Sequence, residues 1–158
     1  MKKKEIKKNR GFVLLFVIVI SSIILAITLG VANIALKEIK FSTEARSTNE
    51  AFFAADTGAE CALYNDKSTV NSFRSPSPAN ITCNGNSVPL NGTSPSWNFI
   101  LSGLGSGRQG CAKVTVDKSG SCGSATCIVS KGYNDGGGVA GSCLQGQSSI
   151  ERQLEVSY

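Results

Sequence analysis

Histidine is absent from this chain of 158 residues. Without an imidazole, neither a Ser-His nor a Cys-His nucleophile pair can form. The acidic residues near the C-terminus do not make up for this absence, because we expect them at strand ends or on a solvated strand face: Asp117, Asp135, Glu151 and Glu155. We therefore predict that the protein is not an enzyme, and we predict no cofactor and no small-molecule substrate.

Net charge is also absent from the chain once its first ten residues are set aside. Residues 1–10 carry six Lys and Arg side chains against one acid, Glu5, whereas the chain from Gly11 onward holds ten basic and ten acidic side chains. A phosphate-binding surface needs clustered positive charge on the folded part of a protein, so nucleic-acid binding is not predicted. The basic segment is instead typical of a topology signal, because Lys and Arg beside an apolar segment stay on the cytoplasmic side of a membrane.

The 25 residues from Phe12 to Leu36 contain no charged side chain. A helix of this length is ~38 Å long, which exceeds the ~30 Å hydrocarbon core of a bilayer. A secretory signal would have a shorter apolar region followed by a small-residue cleavage site. The segment therefore predicts a single membrane-spanning helix, with the rest of the chain on the extracytoplasmic side.

A single glycine, Gly11, separates the basic segment from the apolar helix, which opens with Phe12. This order resembles the class III signal of type IV pilins and pseudopilins. The resemblance implies that a prepilin peptidase removes residues 1–11 as a leader by cutting between Gly11 and Phe12, and that Phe12 becomes N-methylated. The alternative is that Gly11 only breaks a helix ahead of a plain N-terminal anchor.

Phe16 departs from the pattern of that family, in which most major pilins have a glutamate at the fifth residue after the cut. The glutamate is thought to neutralise the terminal amine of a neighbouring subunit, and its absence is typical of certain minor pilins and of the pseudopilin at the filament tip. The resemblance therefore implies a minor or tip subunit. Its partners would be other pilin subunits, the prepilin peptidase and the inner-membrane assembly platform, and its location the inner membrane before assembly and a surface filament afterwards.

The helix is predicted to continue beyond the membrane to about Tyr64, because no proline precedes Pro76 and apolar residues recur at helical spacing. Residues 12–36 would form the membrane and filament-core half, and residues 37–64 an amphipathic half that packs on a globular domain. Gly58 fits either close packing against a sheet or an ordinary helical glycine. The apolar stripe contains Phe41, Ala45, Phe52, Ala55, Ala59, Ala62 and Leu63.

Residues 65–110 are rich in Asn, Ser, Gly and Pro, a composition that favours turns. They predict an extended surface loop, held down by Trp97, Phe99 and a cysteine, in the place of the variable region of pilins. Asn80 and Asn91 begin N-glycosylation acceptor patterns, which in so Asn- and Thr-rich a stretch favour coincidence over modification.

Residues 111–158 contain three strand signals separated by Gly- and Ser-rich turns, at 112–117, 126–133 and 150–158. An antiparallel meander is the simplest closure, with one face on the helix and the other in water. The predicted fold class is therefore α+β, a long N-terminal helix on a small antiparallel sheet, as in pilins. The loop at Asn134 and Asp135 favours a plain turn over a calcium site, because calcium needs more acidic oxygens than this loop offers.

The six cysteines all follow the apolar helix, and an even number in an exported domain favours disulfides. Sequence alone allows 15 pairings. Cys122 and Cys127 flank a hairpin tip and form the easiest local pair. The meander favours a second pair between Cys111 and Cys143, which leaves Cys61 and Cys83 as the third. Zinc is disfavoured by the lack of histidine and by the exported location, so no metal is predicted.

These features predict a structural subunit of a type IV pilus, with roles in assembly, adhesion, motility or secretion. Two other functions stay open. One is a pseudopilin of a type II secretion or DNA-uptake system, from which a pilus subunit cannot be distinguished by its residues. The other is a single-pass membrane protein whose disulfide-bonded domain binds a ligand at the cell surface.

Overall fold

The computed structural model describes residues 10–69 and 71–158, and for residues 10 and 11 it describes the main chain alone. The chain divides into two compact units, Met1–Thr43 and Glu44–Tyr158, and each is described by itself. The elements are α1 (Arg10–Lys67), β1 (Asn80–Cys83), β2 (Asn86–Pro89), β3 (Asn91–Thr93), β4 (Ser96–Leu104), β5 (Gly110–Asp117), β6 (Cys127–Tyr133) and β7 (Glu151–Ser157).

The predicted α+β class is confirmed. In the second unit, five strands form an antiparallel sheet in the order β3-β4-β5-β6-β7, and β1 and β2 form a separate hairpin. The three predicted C-terminal strands correspond to β5, β6 and β7, and they follow one another as a meander. The C-terminal part of α1 contributes buried residues to the same core as the sheet.

The prediction that residues 65–110 form a surface loop is wrong, because this region contains four strands. In β4, the side chains of Trp97, Phe99 and Leu101 are buried, and the residues between them are exposed or half-buried. This alternation is the period of a strand with one buried face. The turn residues that dominated the composition lie between the strands, as in the tight turn at Asn84 and Gly85, where both residues have positive φ.

Small side chains form the contact between α1 and the sheet. Ala51, Ala55 and Ala62 are completely buried, and a Cβ atom built on Gly58 would lie 2.4 Å from the Ser130 hydroxyl. On the sheet, a Cβ atom built on Gly132 would lie 2.2 Å from main-chain atoms of both Ala51 and Ala55. Helix and sheet backbones therefore approach as closely as glycine permits, which decides in favour of close packing at Gly58.

This close approach also corrects the predicted apolar stripe. Phe52 is 44% exposed and Phe41 is 76% exposed, so neither side chain belongs to the core. A phenyl ring would hold the helix away from the sheet, and the positions that face the sheet are therefore occupied by alanine and glycine. The aromatic part of the core instead comes from Phe73, Trp97 and Phe99, whose rings lie 6.0 to 6.4 Å apart.

A polar cluster joins the end of α1 to the end of the sheet. The Tyr158 hydroxyl donates a 2.6 Å hydrogen bond to the buried carboxylate of Asp66, and Lys118 forms an ion pair with the same carboxylate. The Tyr158 main chain exchanges two hydrogen bonds with Thr126 next to β6. A buried carboxylate is costly unless it is paired in this way, so the cluster fixes where the helix ends on the sheet.

Candidate assembly segment and the disulfide-bonded unit

The predicted cleavage junction lies at the N-terminal end of α1. The helix begins at Arg10, two residues before its predicted start, and Phe12 is 74% exposed. Residues 1–9 of the predicted leader lie outside the described residues, so the junction is described only from its helical side.

The helix from Phe12 to Leu36 exposes large apolar side chains and no charged side chain. Its large apolar side chains are 40% exposed or more as far as Phe41, and Phe16, at the position where the family has glutamate, is 56% exposed. Ser22 and Thr28 direct their hydroxyls into the helix, where they donate hydrogen bonds to the carbonyls of Val19 and Leu25. The polar interruptions therefore do not create a polar face.

An apolar surface of this size is stable only when lipid or protein shields it from water. Soluble proteins rarely expose a contiguous apolar patch larger than a few hundred Å². By length and composition, α1 is the one helix of the described residues that can cross a membrane, with a mean hydropathy of 3.1 in its most apolar window and none of that window buried. The segment is therefore compatible with single-pass membrane anchoring, and lipid or other apolar helices would supply the cover.

Two of the three predicted disulfides are present. Cys61 near the end of α1 is bonded to Cys83 at the end of β1, and Cys111 at the start of β5 is bonded to Cys143 in the loop before β7. The bonds close loops of 22 and 32 residues. By loop entropy, each contributes about 3–4 kcal/mol to the stability of the second unit.

The predicted local pair, Cys122 and Cys127, is wrong for this structure, in which both side chains are free thiols. Nearness along the chain favoured the pair, but nearness alone does not specify a disulfide, which also has a narrow range of geometry. Cys127 is the first residue of β6, between β5 and β7, and its thiol approaches the Glu155 carboxylate at 3.7 Å. A hydrogen bond with Cys122, together with burial, raises the pKa of Cys127 to about 12.

Of the acidic residues near the C-terminus, Asp117, Glu151 and Glu155 have side-chain partners, whereas a buried carboxylate oxygen of Asp135 has none among the described residues. The buried Tyr133 donates a 2.6 Å hydrogen bond to Glu151, which lowers the pKa of this carboxyl, and Lys131 lies 3.5 Å from its other oxygen. Burial, together with this hydrogen bond, raises the pKa of Tyr133 to about 12. Hydrogen bonds from Ser119, in a tight turn, lower the pKa of Asp117.

The loop after β6 is organised by Asn134, whose side-chain carbonyl accepts a 2.7 Å hydrogen bond from the Ile150 main chain. The Asn134 main chain in turn donates a hydrogen bond to the Ile150 carbonyl, so this pair extends the pairing of β6 with β7. Among residues 10–69 and 71–158 there is no cluster of three or more Cys, Asp and Glu side chains able to hold a metal ion.

Asn80 and Asn91, which begin the two glycosylation patterns, are exposed at the first positions of β1 and β3. Neither residue belongs to the predicted cleavage junction. Sequence reasoning missed a different set, the residues of the helix–sheet contact on the sheet side, above all Gly132. The alanine-rich spacing of α1 was the available signal for this contact, because alanine and glycine on one helix face indicate a close neighbour.

Comparison with models of known protein families, with curated proteins and with solved structures found no match. The function of this chain is therefore inferred from its own residues.

Proposed function

We propose that this protein is a minor or tip subunit of a type IV pilus or a related pseudopilus. The observation that carries the proposal is the exposed apolar helix from Phe12 to Leu36, preceded in sequence by a basic segment and Gly11. The coarse architecture, a long apolar N-terminal helix and a small antiparallel sheet with disulfides, is compatible with a pilin-like fold.

The charge distribution supports processing at Gly11. Removal of residues 1–11 would take away the whole net charge of +5, because the remaining chain is balanced. A basic segment is useful only while the chain is held in the membrane with its N-terminus in the cytoplasm. After cleavage, the apolar helix would be free to leave the bilayer with its neighbours.

In the assembled filament, the helices of neighbouring subunits would cover the apolar surface in place of lipid. Helices in an apolar surrounding associate by van der Waals packing, and small residues permit close approach. Contacts that join subunits head to tail without closing produce filaments and not rings. Phe16 offers no carboxylate to a neighbouring amine, and for this reason we place the subunit at a rare position of the filament and not at the repeating one.

The experiment that tests the proposal is co-expression of the chain with a prepilin peptidase. We expect a product shortened by eleven residues and beginning with N-methyl-Phe12, as read by mass spectrometry of the intact protein and of its N-terminal peptide. Gly11→Val should block cleavage, because the peptidase recognises the glycine at this place. Gly30→Ala, also inside the apolar helix and with open space around the added Cβ, is the matched control and should be cleaved normally.

An intact N-terminus in the presence of an active peptidase, equal for the parent chain and for Gly11→Val, would contradict the proposal. The chain would then be a single-pass protein whose helix remains in the membrane. A pseudopilin of a secretion or DNA-uptake system would give the same cleavage, and incorporation into purified surface filaments, detected with an antibody against the second unit, distinguishes it from a pilus subunit.

A further inference from the structure

Only the N-terminal part of β4 is paired with β3. β3 pairs with β4 only over Ser96–Asn98, and from Phe99 onward no described strand is hydrogen-bonded to β4 on this side, although β2 lies near it. Continued in register, the chain before β3 would place Pro89 opposite Ile100. Proline has no N–H to donate to the Ile100 carbonyl, so the ladder stops there, and the chain pairs with β1 instead.

The main-chain groups of Ile100 and Ser102 point toward this open side. Lys118 donates a hydrogen bond to the carbonyl of Pro95, so the odd-numbered residues of β4 face β5. In an antiparallel strand the main-chain groups alternate between the two sides, and those of Ile100 and Ser102 therefore point away from β5. Beyond the end of β3 they therefore form this edge of the sheet.

A second unpaired group faces the same space from β2. Leu90 donates a hydrogen bond to the carbonyl of Ala79, so the even-numbered residues of this strand face β1. By the same alternation, the N–H and C=O of Ser87 point away from β1. Ser87 and Ser102 both line one cleft between β2 and β4, so the cleft has main-chain donors and acceptors along two of its walls.

The cleft has a volume of about 350 Å³, within the range of ligand-binding pockets. Its floor is apolar, with the buried side chains of Val88 and Leu101, and its rim carries the amides of Asn84 and Asn86. No Asp, Glu, Lys or Arg lines it. The lining therefore suits an uncharged occupant with its own row of hydrogen-bonding groups.

We propose that the cleft between β2 and β4 binds an extended, uncharged polypeptide segment, which adds to β4 as a strand next to Ile100 and Ser102. An added strand supplies the missing main-chain partners along an edge, and its alternate side chains point to opposite faces. Small aliphatic side chains fit the Val88 and Leu101 floor, and hydroxyl side chains fit the rim. This binding site does not depend on the function of the N-terminal helix.

The other open edge of the sheet lacks these properties. β7 is the last strand, and its residues Glu151, Arg152 and Glu155 are charged and exposed. Charges on an edge strand discourage the addition of another strand. The two edges of one sheet therefore give an internal comparison, a neutral recessed edge at β4 and a charged open edge at β7.

The binding is tested with the full chain in detergent micelles and one defined probe, the pentapeptide Ser-Val-Thr-Val-Ser with acetylated and amidated ends. Amide hydrogen exchange is measured with and without the peptide. At a peptide concentration ten times its Kd, we expect exchange at Ile100 and Ser102 to slow about tenfold. The same peptide N-methylated at its three central residues keeps its side chains, loses its donors, and should give no protection.

Two proline variants locate the site. Ser102→Pro removes the N–H that faces the cleft, and we expect it to lower peptide affinity at least about tenfold. Gln153→Pro removes an edge N–H of β7 and should leave the affinity unchanged. The fluorescence of Trp97 during thermal unfolding reports whether each variant is folded; if Ser102→Pro is not, the exchange pattern of the parent chain decides.

Three results overturn the proposal. One is protection at β7 in place of β4, the second is equal binding of the N-methylated peptide, and the third is no change of exchange at Ile100 and Ser102 at millimolar peptide.

Discussion

Gly132 is a position at which even the smallest possible side chain should destabilise the contact between α1 and the sheet. A Cβ atom added there would lie 2.2 Å from the carbonyl oxygen of Ala51 and from the amide nitrogen of Ala55. Both contacts are main-chain atoms of α1, so no rotamer change relieves them. Gly132→Ala must therefore move the helix away from the sheet or bend β6.

The expected loss of stability follows from two opposing terms. Overpacking of a core costs about 1–3 kcal/mol. Replacement of a glycine by alanine restricts the unfolded chain and returns about 0.4–1 kcal/mol. The net destabilisation is about 1.3 kcal/mol, which for a unit of this size lowers Tm by about 4–8 °C.

The assay is thermal unfolding of the full chain in detergent micelles, followed by the fluorescence of Trp97. This residue is the one tryptophan of the sequence and is 1% exposed in the core of the second unit, so the signal is specific to that unit. Gly138→Ala is the matched control, because its added Cβ would meet nothing nearer than the Gln109 side chain at 3.9 Å. We expect the control to melt at the parental temperature or slightly above it.

Gly58→Ala separates a main-chain clash from a side-chain clash. The added Cβ would meet the Ser130 hydroxyl at 2.4 Å and a Val114 methyl at 2.8 Å. Ser130→Ala removes the nearer contact, so the double variant should recover part of the Tm lost in Gly58→Ala. No such recovery is expected for Gly132→Ala combined with Ala55→Gly, since the backbone remains. A parental Tm for Gly132→Ala would refute the close packing of helix and sheet.

Two further predictions concern the thiols and the pH dependence. N-ethylmaleimide under denaturing, non-reducing conditions should add two labels to the chain, at Cys122 and Cys127. In the folded protein, Cys127 should react more slowly, because its thiol is buried and has a raised pKa. A mass without labels would indicate a third disulfide. Tyr133→Phe should lower Tm most at neutral pH. The reason is that Glu151 has a lowered pKa in the folded state and therefore stabilises it above the ordinary pKa of about 4.3. The difference in Tm between the parent and the variant should shrink as the pH falls toward 3. Above pH about 10 the parent should lose stability that Tyr133→Phe does not lose. The raised pKa of Tyr133 favours the folded state only while the phenol of the unfolded chain is protonated. Parallel Tm curves of parent and variant from pH 3 to 11 would contradict both the acid and the alkaline prediction.

The long helix and the last three strands were predictable because their patterns are local. The uncharged run from Phe12 to Leu36 predicts an apolar helix from its own residues, and the alternation in β5 needs only its own residues. The pairing of Cys111 with Cys143 followed from the meander once the strands were placed. The helix and the strands therefore need only a period or a count within one segment, and this disulfide needs only the order of those strands.

The strands between residues 80 and 104 pair with near neighbours along the chain, β1 with β2 and β3 with β4, and they were missed because most of them are short and their polar residues face water. Trp97, Phe99 and Leu101 alternate, but the Asn- and Ser-rich stretch around them matches a loop equally well. The interpretation of Phe52 as a core residue failed for another reason. Apolar size was taken as a sign of burial, whereas the closeness of the sheet at Gly132 admits only the smallest side chains.

The two disulfides have a mechanical consequence for a chain pulled from its ends. Unfolding under tension releases length as each residue straightens, but the residues inside a closed disulfide loop stay out of the line of force. The loops of Cys61–Cys83 and Cys111–Cys143 enclose 22 and 32 residues, which at about 3.3–3.6 Å per residue withhold about 180–190 Å of extension. The tension path instead crosses from α1 directly to β1 through one covalent bond, so the bond bears load at the point where the helix meets its domain.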